Sequence, residues 1–177
     1  MKSFAVFFCV IGAVLLFATS CKPGSSENNE EEPEGNAIIG TWKSTYVSAK
    51  FKSFNGTEKD TSFEVTQPNF LKVLGISNNI GYYYEDGSYV EKYFDKNDSL
   101  FMEAKGRWEL IGDSILVNQR SPSLTSNKLH FKMDKEFGTF TGYVDWDRDG
   151  AKDDFYVAVA KKVESNPSSK KKQLISE

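Results

Sequence analysis

Residues 145–155 read DWDRDGAKDDF, and four of the five aspartates, Asp145, Asp147, Asp149 and Asp153, fall in the pattern D-x-D-x-D-G-x-x-D. Alternate residues of a tight turn can aim their carboxylate oxygens at one centre, and Gly150 permits the reversal between them. So much like charge repels itself unless something positive lies inside the turn. Hard oxygen donors of this kind select Ca²⁺ over transition metals. The alternative is a solvated acidic hairpin in which Arg148 and Lys152 act as partial counter-charges.

The run resembles the opening of an EF-hand loop, with Ala151 placed to offer a backbone carbonyl at the seventh position. Its twelfth position is Tyr156, which has no carboxylate, and the flanking patterns are those of strands. It is more similar to the calcium hairpins of integrin-type propellers, where the same spacing bridges two strands. That resemblance implies a structural Ca²⁺ held by Asp145, Asp147, Asp149, Asp153 and the Ala151 carbonyl. An affinity of about 10⁻⁴ to 10⁻³ M, as in extracellular modules, is expected.

No other constellation carries chemistry. The single histidine, His130, stands between Lys128 and Lys132 on the polar face of its segment, a surface position rather than that of a general base. Nucleophile elbows, HExxH and phosphate loops are absent from the sequence. Glu85, Glu91 and Glu103 could in principle pair as glycosidase carboxylates. The reading is therefore a binding protein with no catalytic residues, and an unrecognised hydrolase is the less favoured rival. The stretch GYYYEDGSYVEKYF, a hairpin about Asp86-Gly87, supplies candidate ligand contacts in Tyr82 and Tyr84, which share a face by alternation. Tyr83 takes the other face, and Tyr89 and Tyr93 share one on the return strand.

The elements that must position these residues repeat every two residues, the period of a strand with one face buried. Leu100, Met102, Ala104, Trp108 and Leu110 oppose Glu103, Lys105, Arg107 and Glu109, and Leu129, Phe131 and Met133 oppose Lys128, His130, Lys132 and Asp134. Phe155, Val157 and Val159 form a third apolar face, and SILVNQ and TFTGYV read as further strands. Turn residues at Asp86-Gly87, Asp95 to Asp98 and Gly112-Asp113 separate the segments. QPNFLKVLG reads as a short helix, since Pro68 argues against a central strand. The expected fold is all-β, about eight strands in an antiparallel up-and-down barrel, because closure removes the edges of such a meander.

Gly40-Thr41-Trp42 at the start of the domain resembles the G-x-W of the first lipocalin strand. GRWELIGDSILV is similar to a hairpin frequent in bacterial lipocalin-like lipoproteins. The resemblance spans residues 38–163 and implies a module that holds a small apolar ligand, a glycan or a partner protein. A filled barrel serving as an accessory subunit is the alternative. Trp42 and Trp108 are then either ligand contacts or core packing at a barrel end.

Residues 1–20 read as a signal peptide: Lys2 precedes the apolar run Ser3–Ser20, and a transmembrane anchor is the alternative. LFATSC resembles the lipobox of bacterial lipoproteins, which implies lipidation of Cys21 and attachment to a membrane. Residues 21–37 form an acidic linker, and 164–177 a polar tail. Lys22 beside the cysteine resembles lipoproteins sorted to the outer membrane, and the glutamates at 27, 30, 31, 32 and 34 resemble signals for display on the cell surface. A net charge of −3 and the lack of a basic aromatic stripe argue against nucleic acid as a partner.

Overall fold

The computed structural model describes residues 37–57, 59–165 and 167. The expected signal peptide, Cys21, the linker up to residue 36 and the greater part of the tail lie outside the described residues. The strands are β1 (Gly40–Phe51), β2 (Thr61–Thr66), β3 (Asn78–Tyr83), β4 (Ser88–Phe94), β5 (Leu100–Ile111), β6 (Ser114–Ser121), β7 (Thr125–Asp134), β8 (Phe137–Val144) and β9 (Asp154–Glu164). One short helix, α1 (Phe70–Leu74), follows a 3₁₀ turn at Gln67–Asn69 that contains Pro68. The short helix expected here is present, and Phe70 buries its ring beneath it.

Eight strands, β1 and β3 to β9, close an antiparallel up-and-down barrel, with β9 returning to β1 from Thr41↔Glu164 to Lys50↔Phe155. β1 serves two partners along its other edge: Gly40 to Lys43 pair with β3, and Tyr46 to Phe51 pair with β2. β2 is thus an extra strand beside the closure. The β3–β4, β5–β6 and β7–β8 turns lie at the end where β1 begins, here the base. The β4–β5, β6–β7 and β8–β9 turns, with β2 and α1, surround the opposite end, the mouth.

The turns form for the reasons the residue types suggest. Asp95 Oδ1 accepts from the backbone N–H groups of Asn97 at 2.8 Å and Ser99 at 3.0 Å, a local bond that closes the β4–β5 turn. Gly87 takes the left-handed conformation, φ 73°, that a hairpin at Asp86-Gly87 requires. His130 is a surface residue on β7, its Nδ1 3.2 Å from Asp113 Oδ2.

Alternation along β5 and β7 follows the expected faces, with Ala104 and Leu129 buried and Lys105, Lys128 and His130 exposed. Leu100 departs from its face because it stands at the mouth, 52% exposed. On β9 the phase is reversed. Phe155 is exposed and shares its face with Val157 and Val159, while Asp154, Ala158 and Ala160 are buried. The interior opposite β9 is already filled by large rings, so alanine fits where valine would crowd them. Trp42 supplies much of that volume, packing edge-on against Phe131 at 6.2 Å and Phe140 at 6.4 Å. These rings plug the base of the barrel.

Candidate functional site

The β8–β9 connection carries the aspartates. Asp145, Asp147 and Asp149 each bring a carboxylate oxygen to within 4.8 Å of the others, an arrangement that could hold a metal ion. Short-range bonds shape the turn: Asp149 N–H donates to Asp147 Oδ1 at 3.2 Å, and Ala151 N–H donates to Asp149 Oδ1 at 2.8 Å. Arg148 and Gly150 both take positive φ, 63° and 97°, which turns the chain between the aspartates. Asp153 is not one of the three converging residues. Its Oδ1 and that of Asp145 are nevertheless buried without a hydrogen-bond partner in the protein. Lys152, a counter-charge in the solvated reading of the loop, donates to the Ser126 carbonyl.

Asp154, the fifth aspartate of the run, has a separate place. It is fully buried on the inner face of β9, and its Oδ2 accepts from the N–H groups of Trp146 at 2.7 Å and Asp147 at 3.3 Å. Its carboxyl is raised above its ordinary value, chiefly by burial, with Asp147 and Asp153 adding repulsion and the two N–H groups opposing the shift. Asp154 therefore fixes the first half of the loop from below. Sequence spacing alone did not separate it from its neighbours. Trp146, held by that bond, stacks on Tyr156 at 5.3 Å and lies 5.6 Å from Phe63 of β2, forming an aromatic rim at the mouth.

A second polar cluster lies inside the barrel. Glu91 of β4 is flanked in register by Gly81 and Ala104, two residues too small to cover its carboxylate. Its Oε1 accepts from the Tyr83 hydroxyl at 3.0 Å and its Oε2 from the Tyr93 hydroxyl at 2.6 Å. Tyr83 in turn stacks on Tyr89 at 5.7 Å and meets Trp108 edge-on at 6.3 Å. Beside Tyr93 on β3, Asn79 accepts from Ser44 Oγ at 2.7 Å, and its Nδ2 is buried without a partner. Burial, and then the charge of Glu91, hold the phenols of Tyr83, Tyr89, Tyr93 and Tyr156 above their ordinary range. They stay protonated, and Tyr83 and Tyr93 use their protons as donors to Glu91.

The expected ligand contacts divide accordingly. Tyr83, rather than Tyr82, enters the barrel, because Gly81 and Tyr83 alternate inward on β3 and Tyr82 stands on the other face. Tyr84 lies just past the end of β3 and is buried near the base, its carbonyl accepting from Gly87 N–H at 3.0 Å. The two indoles are held by main-chain carbonyls: Trp42 Nε1 donates to Ile38 at 2.7 Å, and Trp108 Nε1 to Tyr84 at 3.2 Å and Ser88 at 3.1 Å. Of the three glutamates weighed as glycosidase carboxylates, Glu85 is exposed, and Glu103 pairs outside with Lys92 at 3.7 Å and Lys105 at 2.6 Å. Only Glu91 faces inward. The pattern Tyr89-x-Glu91-x-Tyr93 carried that signal, since period two puts all three on one face.

No protein-family model matches the chain, and no curated protein matches it at a significant level.

Proposed function

We propose that this protein is a lipid-anchored, lipocalin-like binding module whose barrel takes up a small amphipathic ligand through its mouth. One observation carries the reading. Large rings pack at the base of the barrel, and farther up its interior holds a carboxylate, two phenol hydroxyls and an amide beside the small residues Gly81 and Ala104. A barrel packed only for stability would put apolar side chains there, because buried polar groups cost free energy even when paired. The Trp146–Tyr156 rim offers an apolar entry.

In this reading Ca²⁺ binds Asp145, Asp147 and Asp149, with Asp153 and the Ala151 carbonyl as further oxygen donors, and acts as a structural clamp. The buried, unpartnered Asp145 Oδ1 and Asp153 Oδ1 support it. The clamp would hold the loop that carries Trp146. Lipidation of Cys21 would place the module on the outer membrane, with the acidic linker favouring display at the cell surface.

Uptake is tested with the neutral fluorescent probe N-phenyl-1-naphthylamine. Saturable binding at one probe per chain is expected. Ala104→Leu, which adds bulk beside Glu91, should reduce it while the circular dichroism of the barrel persists. Unsaturable, surface-like partition of the probe would favour the filled barrel of an accessory subunit, a reading that draws on the plugged base.

A further inference from the structure

We infer that the barrel interior recognises a cation, an ammonium group carried on an apolar body, with Glu91 as its counter-charge. The inference rests on the binding-module reading and names the chemistry that reading leaves open.

Among the described residues no ion pair involves Glu91. Lys92 and Lys105 pair with Glu103 on the outer face, Lys161 pairs with Glu136, and Lys162 donates to the Ala37 carbonyl at the base. A carboxylate inside a barrel with no cation is unfavourable, and the two phenol donors offset only part of that cost. Replacing Glu91 and both phenols together with apolar side chains would have been the cheaper core. A carboxylate has about four lone-pair sites, so two remain after the Tyr83 and Tyr93 hydroxyls have donated. Those hydroxyls have used their protons, and each presents its remaining lone pairs. Glu91, Tyr83 and Tyr93 together therefore form a cluster of acceptors.

A ligand that satisfies acceptors must bring donors or positive charge. An anion would be repelled by Glu91, and a purely apolar body would bury its carboxylate further without compensation. An ammonium group satisfies the lone pairs and the charge together, and its charge-assisted bonds are about twice as strong as neutral ones. The stacked rings of Tyr83 and Tyr89 add an electron-rich surface that favours the same cation. Asn79 Nδ2, a buried donor without a partner, adds a second requirement: an acceptor oxygen close to the ammonium.

The test compares octylammonium, octanol and octanoate, of equal tail length, by calorimetry on the full chain in millimolar calcium, so that the aspartate hairpin does not compete for the amine. Octylammonium should bind at least tenfold more tightly than octanol, and octanoate more weakly than either. Glu91→Gln, similar in shape but uncharged, should bring octylammonium down to the affinity of octanol. The ranking on the unaltered chain decides the question even if Glu91→Gln does not fold. Equal affinities for octanol and octylammonium would end the cation inference and leave the binding module standing. Absence of binding by all three probes would remove both.

Discussion

Tyr93 and Glu91 stand two residues apart on one strand, and the phenol donates to the carboxylate at 2.6 Å inside the barrel. Period-two alternation makes this contact local in sequence, while closure of the barrel makes it buried. The pair keeps a negative charge and a neutral phenol side by side.

That pairing sets the alkaline limit of the fold. Burial first, and Glu91 second, raise the phenols of Tyr83 and Tyr93 well above their ordinary value; burial also raises Tyr84, to about 12. In the unfolded chain these groups ionise near pH 10, so above that pH the native state binds more protons than the unfolded one. Stability is therefore fully present below about pH 10 and falls as pH rises beyond it. A phenolate absorbance titration should show the interior tyrosines ionising together with loss of the near-ultraviolet dichroism. Smooth ionisation of every tyrosine near pH 10 with the barrel intact would contradict the interior cluster.

The aspartate hairpin predicts a calcium-dependent melt. A ligand bound only by the native state at about ten times its Kd adds roughly 1.4 kcal/mol, or a rise of roughly 4 °C for a domain of this size. Asp147→Asn or Asp149→Asn should remove the calcium-dependent part and leave the melt in chelator almost unchanged or slightly higher, because like charge has been removed. Identical melts of the unaltered chain in chelator and in millimolar calcium would exclude the clamp.

Gly138 should tolerate no side chain. A Cβ there would lie 2.8 Å from Trp42 Cζ3 and 3.0 Å from Phe131 Cε2, and Trp42 is fixed by its bond to the Ile38 carbonyl. Gly138→Ala should cost about 1–3 kcal/mol through overpacking, read as a lower denaturant midpoint. Combined with Trp42→Phe it should be non-additive, since the smaller ring leaves room for the methyl group. Strict additivity would mean that the base of the barrel is looser than its geometry indicates.

Cys21 makes the tether testable. If the proposed lipid anchor is carried on Cys21, Cys21→Ser should move the protein from the membrane fraction to the soluble one, because the acyl chains would contribute about 0.8 kcal/mol for each buried methylene. Intact mass spectrometry showing an unmodified Cys21 in the native protein would dispose of lipidation.

Strand periodicity was legible wherever polar residues alternated with apolar ones. Lys128, His130 and Lys132 left no choice of face for β7, and the aspartates and glycines marked the turns. The phase of β9 was not legible, because DFYVAVA is apolar on both faces and only the rings of Trp42 and Phe140 decide that the alanines face inward. The same holds for the interior site. Whether Tyr82 or Tyr83 points inward depends on pairing with Tyr89 across the sheet, a long-range register that composition does not carry. The three converging aspartates could be read from spacing, whereas the support from Asp154 required the folded hairpin.

Closure of the barrel by β1 and β9 also has a meaning in time. Thr41 Oγ1 donates to Glu164 Oε2 at 3.1 Å across a separation of 123 residues, so the first strand made waits for the last. At about 5–20 residues per second, the stretch between them takes roughly 6 to 25 s to synthesise. Throughout that interval one whole edge of β1, from Thr41 to Lys50, has no strand to pair with, and an open edge is a template for wrong partners. A chain truncated before β9 cannot close at all. Any factor that escorts this protein must therefore shield its earliest strand until its final one emerges.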